Sequence, residues 1–575
     1  MGGIPQRKVR CVMADKKEQQ FQYGSAFLPE GEKKYSVIRW GWNGLNKEDQ
    51  IDTGQLTDMN GMVCDPPYMY PQKKPKVWLD FQNGIPYNAS WVSSASRDAD
   101  GVPISIAGFD NTLYMIWESP ESLTDKYQVV ASKFLVGQNG GVVDTRIGQF
   151  VLGLPRESSS KNTPRSIVQF NVVTDPTTGD SSLGGNIVNY TYDRKTLVYP
   201  DCYSIPYYFS PQDEAAYFGS EYVPPSNLAS VYNSRVFGAT DDAVFASVFN
   251  SYVDYSLDDA TGTSPDHAWW SMAQSNTEAN GEVTALVSFD NHVVIFRKDF
   301  MQLVYNNKNP FRIVDVGAYG CVSNNAWTIL NGVLYFAAQD KIYAFTGGTP
   351  KEISKNLDIN DFSKAILGSY KDTVYVSIDT DVYTYSKGVW SKAMNTVQTE
   401  YGIIRQFATL DFGIAALVEY VSITSPNYYK ILLLDWDMDF LNLDISVPSA
   451  WEPEYPTNWF FETDFMALAK LDVRRVKKIS MLCEGTPGSE VSVYLLKPNE
   501  LFTPRTSLYI GTVKFKAATA EPRYAGESGF KMLRVLTRQF SSTMHRLMFV
   551  GKGYMKIHAA ELKISWGGDL YAEQK

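Results

Sequence analysis

The segment 369–385, SYKDTVYVSIDTDVYTY, contains three short apolar stretches separated by two tight polar turns. The alternating Val, Tyr and Ile residues favour pleated strands, and Lys371-Asp372 and Asp379-Thr380 are short enough for two-residue turns. The segment therefore predicts three antiparallel strands that follow one another as a meander.

The same pattern recurs along the chain at a nearly constant spacing. Each copy has an apolar residue, a short turn and an apolar pair. The first residues of the copies are Phe109, Tyr232, Phe289, Leu330, Tyr370 and Leu410. From Phe289 onward these residues are separated by 41, 40 and 40 positions, and the step of 57 from Tyr232 to Phe289 indicates an insertion.

A period of about 40 residues with three or four strands per unit predicts a β-propeller. One small sheet cannot bury both of its faces, whereas radially stacked sheets bury them against each other. Meanders in ordinary sandwiches are the alternative, and the constant spacing favours the propeller. We predict an all-β protein with a propeller of six to eight blades. The step of 123 positions from Phe109 to Tyr232 leaves room for two more blades or a large insertion.

Three regions are predicted from the change of pattern along the 575 residues. Residues 1–85 have turn signals but no repeat, which predicts an N-terminal arm or adaptor. Residues 86–440 form the propeller, with an insertion around 140–225. Residues 441–575 alternate polar and apolar positions, which predicts a C-terminal antiparallel β-sandwich. Its expected strands are 476–482, 490–496, 508–516, 531–536, 545–550 and 555–565.

The formal net charge of −10 is distributed unevenly. From Trp459 to the last residue there are 18 Lys+Arg and 11 Asp+Glu, a balance of +7, so the preceding residues carry −17. This asymmetry indicates either two domains with different surfaces or a basic end that contacts an acidic partner or the DNA backbone.

The cysteines favour neither a disulfide framework nor a zinc site, because they are far apart and form no CxxC pair. They are Cys11, Cys64, Cys202, Cys321 and Cys483. We expect reduced thiols in a chain that folds in a cytosol. The first residues lack the apolar core of a signal peptide, and no apolar run of about 18 residues predicts a membrane span.

No catalytic, cofactor-binding or metal-binding residues are predicted. The four histidines, His267, His292, His545 and His558, stand outside the HExxH, HxH and GxSxG contexts. Propellers include glycosidases, which need a pair of carboxylates, but the repeated Asp boxes of sialidases are missing. Asp435, Asp437 and Asp439 alternate in DWDMDF. We interpret them as the solvated face of a strand, with Trp436 and Met438 turned inward; half a calcium loop is the alternative.

The segment from Tyr232 to Leu357 is similar to the propeller of phage tail-nozzle proteins, also called tail tubular protein B or packaged-DNA stabilisation protein. The resemblance is carried by YNSRVFGATDDAVFAS, VTALVSFDNHVVIFRKDFMQLVY and VDVGAYGCVSNNAWTILNGVLYFAAQDKIYAFTGG. The matching positions are Gly317, Gly320, Asp340, Tyr343, Gly347 and Gly348. The opening of the family also resembles the segment that begins at Gly41, GWNGLNKEDQIDTGQLTDMNGMVCDPPYMYPQKKP. The family usually has Pro-Arg where this chain has Pro71-Gln72-Lys73-Lys74.

The resemblance implies a non-catalytic structural protein of the virion tail or neck, assembled in the host bacterial cytoplasm. Six copies would form a homohexameric ring below the portal and adaptor proteins. The ring would extend the channel for double-stranded DNA, retain the genome until ejection and carry tail fibres or spikes. In such a ring the long segment 157–225 would be the leading candidate for a gate or for a contact to a fibre. Other hypotheses are a tail-tip or receptor-binding propeller, a carbohydrate-active propeller enzyme and a cellular scaffold.

Overall fold

The chain divides into two compact units in the computed structural model. Unit 1 comprises Met1–Gln72 and Tyr455–Lys575, and unit 2 comprises Lys73–Glu454. The structure describes residues 35–40, 42–47, 55–81, 102–120, 126–136, 142–155, 166–174, 191–199, 207–210, 215–218, 224, 226, 228–239, 243–257, 266–272, 282–306, 308–396, 402–420, 428–441, 451–463, 474–496, 502–503, 507–515, 530–542 and 546–566.

The regular elements of the described residues are β-strands, with two short 3-10 turns at Lys355–Leu357 and Met438–Phe440. The first strands are β1 Tyr35–Trp40, β2 Leu56–Asn60, β3 Met62–Asp65, β4 Tyr68–Pro71, β5 Lys76–Phe81, β6 Val102–Phe109, β7 Thr112–Pro120, β8 Lys126–Val136, β9 Val142–Pro155, β10 Ser166–Thr174, β11 Thr191–Tyr199, β12 Tyr207–Ser210, β13 Ala215–Phe218, β14 Leu228–Tyr232, β15 Arg235–Ala239, β16 Ala243–Ala246, β17 Trp269–Met272, β18 Val283–Phe289, β19 His292–Arg297 and β20 Met301–Tyr305. The remaining strands are β21 Arg312–Gly317, β22 Trp327–Leu330, β23 Val333–Ala337, β24 Ile342–Phe345, β25 Lys351–Glu352, β26 Ile366–Tyr370, β27 Thr373–Ile378, β28 Asp381–Ser386, β29 Val389–Asn395, β30 Ile403–Leu410, β31 Gly413–Tyr420, β32 Tyr428–Trp436, β33 Trp459–Thr463, β34 Arg474–Gly485, β35 Glu490–Leu496, β36 Leu508–Lys514, β37 Phe530–Ser542, β38 Arg546–Lys552 and β39 Met555–Trp566.

Unit 2 is a β-propeller of seven four-stranded antiparallel sheets, which we number as blades 1 to 7. Blades 1 to 6 each use four consecutive strands and begin at β6, β10, β14, β18, β22 and β26. Blade 7 contains β30, β31, β32 and, as its outermost strand, β5. The first strands of blades 7 and 1 contact each other, which closes the ring. The predicted all-β propeller is confirmed.

The middle strands of the blades are apolar because both of their faces are covered by neighbouring blades. In β19, HVVIFR, all six residues are buried, and β15 is buried throughout. The outermost strands differ, since both residues of β25 are exposed. A buried core therefore runs between the blades; one cluster joins Phe237 and Val244 of blade 3 to Leu286 and Ile295 of blade 4.

Two-residue turns follow the first strand of each repeat that the sequence identified. The six apolar residues predicted to open the repeats are the last residues of β6, β14, β18, β22, β26 and β30. Many of the turn residues have left-handed backbones, as type I′ hairpin turns require. They are Asp110, Asn233, Ser234, Asp290, Asn331, Gly332 and Lys371, with φ from 47° to 73°. Asn and Asp tolerate this conformation better than other side chains.

The insertion indicated between Tyr232 and Phe289 lies within blade 3. It is the long connection between β16 and β17, which the structure describes at 247–257 and 266–268. Tyr255 and Ala268 pack against Phe245 and form a small core of their own. Arg235 donates hydrogen bonds to the carbonyls of Ser247 and His267, which ties this connection to the blade.

The structure differs from the expected insertion around 140–225. Residues 142–155 are the fourth strand of blade 1, and β10 to β13 are a complete blade 2. Short turn signals are missing here because the strands of blade 1 are long, up to 14 residues in β9. The segments 156–165 and 175–190, part of the expected gate, lie outside the described residues.

The expected arm at 1–85 also differs from the structure in its described residues. Strand β5 belongs to the propeller, and β1 to β4 belong to the sheets of unit 1. Strands β3 and β4 form a local hairpin. The other pairings join strands several hundred residues apart, since β1 and β4 pair with β39 and β2 pairs with β33. Such pairing leaves no hairpin signal in the local sequence.

Unit 1 contains two antiparallel sheets in its described residues. One comprises β1, β3, β4, β34, β37 and β39, and the other comprises β2, β33, β35, β36 and β38. Strands β34 to β39 coincide with the six segments predicted for the C-terminal region. In the second sheet the ring of Phe461 stacks on Phe549 at 4.6 Å, and Trp459 is fully buried. That the sheets form a face-to-face sandwich stays a prediction.

Candidate functional site

A cavity of about 440 Å³ lies at the centre of the propeller. The first strands of all seven blades line it, and no charged side chain stands among its described lining residues. Its polar side chains are hydroxyls and amides, and its aromatic residues are Phe109, Trp327 and Phe407. The volume lies in the range of small-molecule pockets.

Hydroxyl groups of the first strands bond neighbouring blades to each other. Ser288 donates to the carbonyl of Val231 at 2.6 Å, and its Oγ lies 2.7 Å from Ser230 Oγ. Blades 5 and 6 repeat the arrangement, because Thr328 donates to Ser369 Oγ and Ser369 donates to the carbonyl of Ile329. These hydroxyls are thus engaged in holding the ring together.

An amide joins blade 7 to blade 1. The side chain of Gln406 donates to the carbonyl of Ile106 at 2.8 Å and accepts from the Ile106 amide at 2.9 Å. Gly108 stands where this seam is tightest, because a Cβ there would lie 2.0 Å from the Thr409 carbonyl oxygen. The Gln406 side chain thus bonds both backbone groups of Ile106, as a neighbouring strand would in a sheet.

The turns that follow the first strands lie at one end of the cavity, because successive turns of a meander alternate between the two ends of a sheet. The turns of blades 6 and 7 and the end of β32 carry five aspartates, which we call the acidic turn cluster. They are Asp372, Asp411, Asp435, Asp437 and Asp439. The turn of blade 1 adjoins it, since the Asp411 amide donates to the Asp110 carbonyl at 2.9 Å.

Two lysines neutralise part of the acidic turn cluster. Lys73 Nζ lies 2.6 Å from Asp435 and also donates to the Trp436 carbonyl. Lys371 Nζ lies 2.7 Å from Asp437. The hydrogen bond from Lys371, with one from the Asp439 amide, lowers the pKa of Asp437. Five carboxylates against two ammonium groups leave the cluster negative.

Tyr370, the last residue of β26, borders the same cluster. Its side chain is 5% exposed, and its buried hydroxyl has no hydrogen-bond partner among the described residues. Burial raises the pKa of Tyr370, and the charges of Asp435, Asp437 and Asp411 raise it further. The phenol is therefore protonated at neutral pH and faces acidic groups without bonding to them.

The structure brings the aspartates of DWDMDF together but not on one strand face. Strand β32 ends at Trp436, which is buried as predicted. Asp437 instead caps the following 3-10 turn by accepting from the Asp439 amide. Met438 packs against the core cluster that contains Trp436, as predicted. The prediction of a continuous strand is wrong, because this turn interrupts the extended backbone after Trp436. No group of three or more His, Cys, Asp or Glu in the described residues is arranged to hold a metal ion.

The described histidines lie apart from one another. His292 is buried in blade 4 among Phe289, Tyr305 and Phe345, and burial lowers its pKa. The carbonyl of His267 accepts from Arg235 in blade 3. His558 of unit 1 lies 3.5 Å from Glu484. His545 is outside the described residues.

The residues that match the nozzle family lie around blades 4 and 5. A Cβ at Gly320 would lie 1.8 Å from the carbonyl oxygen of Lys298. Gly317 and Gly347 have φ of 143° and 100°, and nothing lies within 4 Å of a Cβ at Gly348. Tyr343 stacks on Phe336. Gly317, Gly320, Gly347 and Tyr343 thus have conformational or packing roles in this structure. Asp340 lies in the exposed turn between β23 and β24.

Sequence reasoning missed Tyr370, Asp411 and the bridging hydroxyls as functional candidates. A signal for the hydroxyls was present, because Ser288, Ser369 and Thr409 each precede the first apolar residue of a repeat. The position of Tyr370 beside Asp435 depends on the packing of blade 6 against blade 7, and no local pattern reveals it.

Cys64, Cys321 and Cys483 are free and buried. Burial raises the pKa of both Cys321 and Cys483 to about 12. We expect these three thiols to resist alkylation at pH 8 in the native chain and to react fully in denaturant, because the thiolate is the nucleophile. Mass spectrometry of peptides after iodoacetamide pulses measures this. Native labelling of Cys321 at the rate seen in denaturant would contradict the expectation.

Three comparisons with known proteins were made. No family model matches the chain, and no curated protein matches it. The WD40 domain of Pan2 from Neurospora crassa is similar, with 10% identity and a TM-score of 0.34, over 64% of this chain and 97% of that domain. The β-propeller domain of the Trilobed protease from Pyrococcus furiosus is also similar, with 8% identity and a TM-score of 0.32. The match covers 58% of this chain and 93% of that domain. An acylaminoacyl peptidase from Pyrococcus horikoshii has 9% identity and a TM-score of 0.33. That match covers 64% of this chain and 58% of the peptidase.

Proposed function

We propose that this chain is a structural protein of the tail or neck of a short-tailed phage. Copies of it form a ring that extends the DNA channel below the portal, retains the packaged genome and supports its ejection. The sequence resemblance to tail-nozzle proteins suggests this role, and one structural observation carries it furthest: each copy contains two separately folded units of opposite charge.

The charge separation follows the boundary between the units. Unit 1 contains 27 Lys+Arg and 20 Asp+Glu, which gives +7, and unit 2 contains 26 and 43, which gives −17. A head-to-tail ring needs two different and complementary surfaces on each subunit. Opposite charges on two units supply such surfaces and also oppose wrong, like-to-like contacts.

The same charges suit a channel through which DNA slides. A cavity of about 440 Å³ has the size of a small-molecule pocket, so DNA would pass along the axis of the ring and not through a propeller. Acidic propeller surfaces beside that axis would repel phosphates and keep the duplex from adhering. Portal or adaptor proteins above the ring and fibres or spikes around it would be its partners in the virion.

The mass of the purified full chain in solution, with negative-stain imaging of its oligomers, tests this function. We expect rings of about six copies with an open centre. The proposal would be overturned by a chain that stays monomeric at every concentration, also with a portal ring as template. Hydrolysis of a glycan that is lost on mutation of a cleft carboxylate would favour the enzyme hypothesis instead.

A further inference from the structure

The acidic turn cluster contains more carboxylates than the two lysines that pair with it. Asp411 and Asp439 are exposed, and no described residue bonds to their carboxylates. The two internal ammonium groups, Lys73 and Lys371, are held on Asp435 and Asp437. The cluster thus combines a fit for ammonium groups with carboxylates that have no cation of their own.

The buried hydroxyl of Tyr370 is a second observation, independent of the carboxylates, that points to a ligand at this cluster. A buried hydroxyl without a partner is costly, and native structures contain few of them. Lys371 Nζ lies 5.4 Å from the centre of the Tyr370 ring while it pairs with Asp437. Because the Lys371 side chain is half exposed, it can leave this position to an incoming cation, which would meet Asp437, Asp411 and the phenol oxygen together.

We propose that the acidic turn cluster docks basic side chains of unit 1 from a second copy of this chain. This inference rests on the proposed function and names the surface through which the ring forms. Unit 1 is the part of the chain with a positive balance, +7 against −17 for unit 2. Every copy carries both surfaces, so one contact repeated around an axis yields a closed ring.

The test compares two double variants of the full chain. Asp411→Lys with Asp439→Lys reverses charge in the cluster without touching the carboxylates that hold Lys73 and Lys371. Asp299→Lys with Asp340→Lys is the matched control, because it changes the charge by the same amount. Both aspartates are exposed in turns between the second and third strands of their blades, at the end of the blade away from the turns that follow the first strands. Sedimentation velocity at low salt and at ~0.5 M salt measures self-association.

We expect the cluster variant to associate at least about tenfold more weakly than the natural chain, and the control variant to differ by less than about twofold. High salt should weaken association of the natural chain. Tyr370→Phe should weaken association while thermal stability is kept or raised, because it removes an unbonded buried hydroxyl. A purely internal role of Tyr370 would leave association unchanged.

Zero-length carbodiimide cross-linking of mixed ¹⁴N and ¹⁵N chains identifies the occupant. We expect links between copies that join Asp411 or Asp439 to lysines of unit 1. Rings that persist in the cluster variant, or links that join these aspartates only to unit 2, overturn this inference and leave the proposed function standing. A natural chain that stays monomeric, also with a portal ring as template, overturns both. Binding of polylysine without self-association assigns the surface to another basic partner.

Discussion

Replacing Gly320 by Ala is expected to destabilise the propeller by about 3 kcal/mol or more, at the upper end of overpacking effects. The new Cβ would lie 1.8 Å from the carbonyl oxygen of Lys298 and 2.7 Å from the Cα of Asp299. Both are backbone atoms of the turn between β19 and β20, so the clash cannot be relieved by rotating a side chain. The adjacent amide of Cys321 donates to the Arg297 carbonyl, which holds the two segments together.

Gly348→Ala provides the matched control. Nothing lies within 4 Å of a Cβ at Gly348, and its backbone is outside the left-handed region. This variant should change the free energy of unfolding by no more than about 0.5 kcal/mol. Urea denaturation compares the variants, and hydrogen exchange localises the change, which should begin at blades 4 and 5. Equal effects of both substitutions would show that Gly320 does not stand at a close approach.

The sequence was informative where the fold repeats itself locally. The last residue of each first strand was identified in blades 1 and 3 to 7, because a short turn with Asp or Asn and an apolar pair follow it. The predicted C-terminal strands were also located well, since alternating residues such as those of β35, EVSVYLL, mark one buried face. Local turn chemistry and periodicity determine these elements.

Long-range pairing explains what could not be predicted. Blade 2 lacks the compact repeat, and β1, β2, β4 and β5 pair with strands far along the chain. At the candidate site, the sequence showed Asp435 and Asp437 but not Tyr370 or Asp411 beside them. Those neighbours meet only when β26, β30 and β32 are placed in adjacent blades. The capping role of Asp437 likewise depends on a 3-10 turn that alternation does not predict.

Trp78→Ala is expected to destabilise blade 7 by about 3 to 5 kcal/mol, as truncations of buried aromatic residues do. Trp78 lies on β5, is 7% exposed and contacts Phe412 edge to face at 5.8 Å. It belongs to a core cluster that also contains Leu113 of blade 1 and Trp436 of blade 7. Loss of the indole would leave a cavity where the last blade meets the first.

The adjacent Val77→Ala should cost no more than about 0.5 kcal/mol, because Val77 is 41% exposed on the opposite face of the same strand. Hydrogen exchange of β30 to β32 compared with that of blades 3 to 5 gives the readout. In Trp78→Ala, exchange should rise first in blade 7, since β32 is the one described strand with which β5 pairs. If residues 73–85 were instead part of an arm outside the propeller, both substitutions would leave these amides equally protected. A selective loss of protection in blade 7 would therefore establish that the strand preceding the repeats closes the ring, and that removing the front of the chain removes part of the propeller itself.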